Sequence, residues 1–267
     1  MFENLSLRTP YPPPQEGFWG QPTSTLNWCE EDYVISHYAA EITNTLTNAL
    51  FVALGIRGVR NCLKYRHDTV FVIAYLGYLL VGCGSVAFHA TLSYPMQLVD
   101  ELSMIYTTSI LCYAIFTHDR SQLFSIFLGI GLVALSISIT AYYHYIQDPE
   151  FHQNAFSILF LATVFRSLYT MEAILRPMLS KTHINKPPRT SVSSKETRRS
   201  PLQSDRAIIC EMRWIVAMGF ITCAAGITAW KVDNIHCGDL VRWRHEVGLP
   251  WGILLEGHGW WYVIALR

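Results

Sequence analysis

The chain has 267 residues, 51% of them hydrophobic and only 15% charged, with a formal net charge of zero. Soluble domains carry about 25% charged residues; here the charges gather in short segments between long apolar runs, which excludes an ordinary soluble globule. The balanced charge also gives no argument for nucleic acid as a partner.

One compact unit suits this length. The first thirty residues are rich in Pro and polar groups and hold no apolar stretch of the kind a cleavable signal peptide needs. A spanning helix takes about 20 mostly apolar residues. In chain order the candidates are 36–56, 69–91, 97–117, 122–143, 154–175, 208–230 and 251–267. They predict an all-α, integral membrane seven-helix bundle over 36–267, preceded by an N-terminal segment at 1–35. The first span is the least hydrophobic, because it holds Glu41 with several Asn and Thr. The last is cut short at Arg267.

Orientation follows from the basic residues of the loops. Arg57, Arg60, Lys64 and Arg66 fill the first loop, Arg120 the third, and eight basic residues from Arg176 to Arg206 the fifth. The N-terminus offers only Arg8 and the 144–153 loop none. The odd-numbered loops are therefore expected in the cytoplasm, the N-terminus in the lumen and the C-terminus in the cytoplasm. The Ser-, Pro- and Lys/Arg-rich stretch at 177–206 reads as a disordered cytoplasmic insertion.

Of seven cysteines, Cys62, Cys83, Cys112, Cys210 and Cys223 lie in or beside apolar runs, where the thiol behaves as a small hydrophobe. Cys29 and Cys237 sit in polar segments assigned to the lumenal side, where disulfides persist. A bridge between them is expected; two unpaired thiols are the alternative.

Ionisable groups at membrane depth point to function. Ser85 and His89 stand one helical turn apart near the lumenal end of the second span, so they share a face. Asp100 and Glu101 open the third span and His258 the seventh, at the same depth. Two imidazoles with a carboxylate suit zinc, which in catalytic sites takes three protein ligands and leaves one position open. Earlier, Asn27, Trp28, Glu30, Glu31, Asp32 and Glu41 bring hard oxygen donors to the start of the first helix. Calcium takes six to eight such oxygens. Capping of the helix N-terminus is the competing reading for Glu30, Glu31 and Asp32.

The segments N-W-C-E-E-D-Y (27–33), G-S-V-A-F-H (84–89), M-Q-L-V-D-E-L (96–102), D-N-I-H-C (233–237) and H-G-W-W (258–261) together resemble the alkaline ceramidases. The likeness runs over nearly the whole chain apart from 177–206 and the extreme C-terminus. It implies a seven-span enzyme of the endoplasmic reticulum or Golgi that hydrolyses the amide of ceramide. The implied zinc ligands are His89 and His258, with Ser85 near the metal and Asp100 holding the water or shuttling its proton. The implied calcium ligands are Asn27, Trp28 through its backbone carbonyl, Glu30, Asp32 and Glu41. A Cys29–Cys237 disulfide is implied as well.

The departure lies at the end, where Tyr262 stands four residues after His258 in place of the family's second His. Two readings of that departure compete: a variant with weakened or lost catalysis, and a gene end drawn in the wrong place. The rival function is a catalytically impaired seven-span protein that binds lipid or acts as a receptor. The expected partners are ceramide and membrane lipids, without nucleic acid and with no obligate protein partner in view.

Overall fold

The computed structural model describes residues 8–177 and 201–265. The insertion expected at 177–206 lies outside the described residues over 178–200, and from Pro201 onward the chain is helical.

The described residues build eight α-helices: α1 (Ile42–Tyr65), α2 (Thr69–Thr91), α3 (Tyr94–Thr117), α4 (Gln122–Ile146), α5 (Pro149–Tyr169), α6 (Pro201–Ile235), α7 (Cys237–Val247) and α8 (Gly257–Ala265). A π-helical turn at Thr170–Leu175 prolongs α5, and a 3-10 turn at Trp251–Leu255 leads into α8. Among the described residues there is no strand, only an isolated bridge between Thr9 and Leu249.

Five helical stretches are long and apolar enough to cross a membrane: 69–91, 94–117, 122–146, 149–175 and 207–235. Their outer faces are apolar. On α4 alone, Leu123, Phe127, Ile130, Val133 and Ile137 are exposed. In water such a surface would be costly, whereas in lipid it is the surface a spanning helix needs, because the helix satisfies its own backbone. Together they make an all-helical integral membrane protein.

The helix ends follow local chemistry. The Ser121 hydroxyl accepts the Phe124 N–H at 3.3 Å to start α4, and Asp148 accepts the Glu150 N–H at 3.0 Å with Pro149 at the first turn of α5. Between α2 and α3 the turn is tight. Leu92, at φ 45, returns its N–H to Phe88 O at 2.7 Å.

Three boundaries differ from the sequence reading. The first helix covers Ile42–Tyr65, not 36–56. Residues before it pair with the end of α2 instead: Ala40 N donates to Ala90 O and Glu41 N to His89 O, both at 3.0 Å. At its other end Arg57, Arg60 and Lys64 are good helix formers and do not stop it. The expected loop at 231–250 is largely helix, because α6 runs on to Ile235 and α7 follows. α7 is amphipathic, burying Leu240 and Arg244 and exposing Arg242, Trp243 and Glu246. The last helix starts at Gly257, after the 3-10 turn, rather than at 251.

α1 packs on α2, α2 on α3, and α3 on both α4 and α5, while α8 lies against α1 and α6. One buried cluster joins Ile105, Ile139 and Leu159 of α3, α4 and α5. The other, Tyr33, Ala40, Phe88 and Leu92, fastens the N-terminal segment to the end of α2.

Candidate active site

The start of α1, the end of α2 and the starts of α3 and α8 meet at one end of the bundle, and the polar residues singled out in the sequence collect there. His89, fully buried on the last turn of α2, is held through Nδ1 by a short contact to Glu41 Oε2 just ahead of α1. His258, on the first turn of α8, is also buried, and the two imidazole centroids are 5.6 Å apart.

Ser85 and Asp100 come together because α2 and α3 touch at Gly84. A Cβ built on Gly84 would lie 3.1 Å from both Asp100 Cα and Asp100 N. That approach places the buried Ser85 Oγ facing the Asp100 carboxylate, short of a well-formed hydrogen bond. Glycine serves α8 similarly, since a Cβ on Gly259 would sit 3.0 Å from Thr43 Cγ2 and 3.3 Å from Asn44 Oδ1.

Asn27, Trp28, Glu30, Asp32 and Glu41 form a second constellation beside the first. Glu30 caps α1, accepting Thr43 N at 2.6 Å and Asn44 N at 2.9 Å. The capping reading therefore holds for Glu30 alone. Glu31 meets His245 at 3.0 Å, and Asp32 accepts from Asn27 Nδ2 at 3.0 Å. Glu41 Oε1 accepts the Trp28 N–H at 3.1 Å. Burial, with the Glu41 carboxylate nearby, pushes the Glu30 carboxyl up to about 7, and burial also raises Asp32.

Several residues of this region were not singled out as site residues in the sequence. Arg244 of α7 is fully buried; it donates to Cys29 O at 2.8 Å and pairs with Glu256 at 3.2 Å. Glu256 also accepts from Tyr11 at 3.2 Å. Burial, with Glu30 nearby, pushes Glu256 up to about 9 despite Arg244. Asp233 caps α8 by accepting Gly257 N at 2.9 Å. The expected disulfide between Cys29 and Cys237 is present, with Cα atoms 5.4 Å apart, so the N-terminal segment is tied to the start of α7. Asn44 donates to Glu41 Oε2 at 3.2 Å, while its own buried Oδ1 accepts no hydrogen bond. Its spacing, one turn after Glu41, was the available signal.

A further network lies on the other side of α3. Gln97 Nε2 donates to Glu101 Oε2 and to the Tyr143 hydroxyl, both at 3.0 Å, Tyr143 makes a short contact to Glu101, and His152 Nε2 reaches Glu101 O at 2.8 Å. Glu101 thus faces α4 and α5, away from its neighbour Asp100.

Among the described residues no three His, Cys, Asp or Glu side chains are grouped to hold a metal ion. Two imidazoles at 5.6 Å suit two corners of a zinc site. A carboxylate on Nδ1 of one of them is the partner that orients a ligating imidazole. Tyr262 falls in α8, and its side chain lies outside the described residues. For calcium, the donor chemistry fits: Asp32 Oδ1 is a buried acceptor that accepts no hydrogen bond, beside the carboxylates of Glu30 and Glu41.

An all-helical membrane protein with a buried His, Ser and Asp constellation at one end of its bundle is the class that fold and site define. The ceramidase family model matches residues 20–266. Alkaline ceramidase 3 of Mus musculus is 29% identical over 94% of this chain and 82% of its own. An alkaline ceramidase of Saccharomyces cerevisiae is 33% identical over 93% of this chain and 74% of its own, and one from Arabidopsis thaliana 26% over 92% and 80%. The chain belongs to the ceramidase family, whose members are amide hydrolases.

Proposed function

We propose that this chain is an alkaline ceramidase that hydrolyses the ceramide amide to a sphingoid base and a free fatty acid. Two buried pairs carry the reading: His89 with His258, 5.6 Å apart, and Ser85, one turn before His89 on α2, with Asp100. In this scheme His89 and His258 hold zinc, with the position of Tyr262 completing the set, and Glu41 orients His89. When bound, zinc supplies Lewis acidity at the scissile carbonyl.

The remaining work falls to the chain's own residues. Asp100 removes a proton from the attacking water, whose oxygen bonds to the carbonyl carbon. Ser85 donates its hydroxyl hydrogen to the oxygen that becomes negative. The C–N bond then breaks, and Asp100 passes the proton to the departing sphingoid nitrogen. Apolar span residues hold the acyl chain, which enters from the bilayer.

A structural calcium ion belongs, on the same reading, to Asn27, the Trp28 carbonyl, Glu30, Asp32 and Glu41. It would act through Glu41, which belongs to both constellations. α1 and α8 complete a seven-span bundle in this proposal, with the N-terminus lumenal and the C-terminus cytoplasmic, in the endoplasmic reticulum or Golgi. The basic residues that give this orientation include Arg57, Arg60 and Lys64 at the far end of α1.

The test is zinc content and fatty-acid release from ceramide in purified protein, beside Asp100→Ala and Tyr262→His. Zinc binding with ceramide hydrolysis that Asp100→Ala abolishes is the expected result. Ceramide binding without hydrolysis in both the unaltered chain and Tyr262→His would instead establish the lipid-binding or receptor-like alternative.

A further inference from the structure

Trp28 enters the proposed function only through its backbone carbonyl. Its side chain is placed for something else. The indole stacks on the His258 imidazole with ring centroids 4.2 Å apart and planes 14° from parallel. Trp230 of α6 braces the indole edge-on at 6.1 Å. The indole also packs against the buried cluster of Tyr33, Ala40, Phe88 and Leu92, which includes the neighbour of His89.

The same residue's backbone reaches the other imidazole. Trp28 N–H donates to Glu41 Oε1 at 3.1 Å, and the other oxygen of that carboxylate holds His89 Nδ1. The position of Trp28 is itself pinned by the next residue. Cys29 is bonded to Cys237, and its carbonyl is gripped by the buried Arg244 at 2.8 Å.

An imidazole at the first turn of a short helix can rotate about its χ angles, and a flat surface against its face restricts its plane. An electron-rich indole face does this, and favours an imidazole that becomes electron-poor when its nitrogen binds a cation.

We propose that Trp28 is a positioning residue for the imidazole pair, its indole setting the plane of His258 while its N–H sets the carboxylate that holds His89. The inference rests on the proposed zinc reading and adds a side chain to it. It also distinguishes two roles of one residue: the carbonyl serves the calcium loop, and the ring serves the zinc pair. Side-chain substitutions separate them, because they leave the carbonyl in place.

The experiment uses the full chain, purified in detergent and stripped of metal. Zinc is titrated against a competing fluorescent chelator, and calcium is followed by the rise in thermal midpoint. Three proteins are compared: unaltered, Trp28→Leu and Trp28→Phe. Loss of an outer-shell partner weakens metal binding about 10- to 100-fold, and that is the expectation for Trp28→Leu. Trp28→Phe keeps a flat ring and should keep most of the affinity. The calcium response should be the same in all three.

Unchanged zinc affinity in Trp28→Leu overturns the proposal, and so does a Trp28→Phe protein as weak as Trp28→Leu. A loss of the calcium response in Trp28→Leu overturns it too, since the ring would then be folding the loop rather than orienting His258. If the unaltered chain takes up no zinc, the zinc reading itself fails and this inference falls with it.

Discussion

Glu41 shows how much one residue can carry. Its two carboxylate oxygens serve the Trp28 N–H, the Asn44 amide and His89 Nδ1, and it is fully buried. Glu41→Gln keeps the shape but makes one side of the group a donor, so the negative charge beside His89 is lost together with either the Trp28 or the His89 contact. Zinc affinity should fall about 10- to 100-fold, measured by chelator competition, with the helix content unchanged by circular dichroism. Asp100 is tested by Asp100→Asn, which cannot take up a proton. Ceramide turnover should fall about 10²- to 10⁴-fold, with zinc content retained. A variant that loses both together would have lost the site rather than the base.

At the scale of elements, two contacts place the site. The first is the approach of α2 to α3 at Gly84, where the nearest atoms are backbone and cannot swing aside. Gly84→Val must therefore push the helices apart and separate Ser85 from Asp100. Overpacking of this kind costs about 1–3 kcal/mol. The expected result is a lower thermal midpoint with a loss of turnover larger than the loss of folded protein. The second is the start of α8, where Asp233 accepts Gly257 N and Arg244 fixes Glu256. Asp233→Ala removes the cap, which costs about 1 kcal/mol. Because His258 is the next residue after Gly257, zinc affinity should weaken as well, and thermal scans with chelator competition read both effects.

For the molecule as a whole, one end of the bundle concentrates carboxyl groups. Glu30, Asp32, Glu41, Asp233 and Glu256 lie near one another around the buried guanidinium of Arg244. Glu30 moves from an ordinary 4.5 up to about 7 and Glu256 up to about 9, in both cases chiefly because burial disfavours the charged form. A carboxyl raised on folding stabilises the fold fully below about pH 4.5, and that contribution is lost as pH rises through the folded value. The calcium-free protein should therefore lose thermal stability as pH rises above about 5, through Glu30 up to about pH 7 and through Glu256 up to about pH 9. A cation that favours the charged carboxylates reverses this. Calcium should raise the thermal midpoint more at pH 8 than at pH 5.5, and a calcium effect independent of pH would remove Glu30 from the site.

The helical class and membrane setting were legible in the sequence, because apolar runs of about 20 residues have few other uses. The spans at 69–91 and 122–146 show how closely hydropathy marks a helix when nothing competes with it. His89, Asp100 and His258 stood out as candidates for a related reason, as ionisable groups within apolar runs have to be explained, and the structure buries all three. The sequence could not place the start of α1, because backbone bonds from Ala40 and Glu41 to the end of α2 replace the helical ones. Nor could it reveal α7, Arg244, Glu256 or the stack of Trp28 on His258, whose members lie more than two hundred residues apart in the chain. Hydrophobicity is a local property and determined which segments enter the bilayer. Which polar groups face each other there was decided only by the close approaches of the packed helices, through the absent Cβ atoms of Gly84 and Gly259 and the anchoring of Cys29 to Cys237.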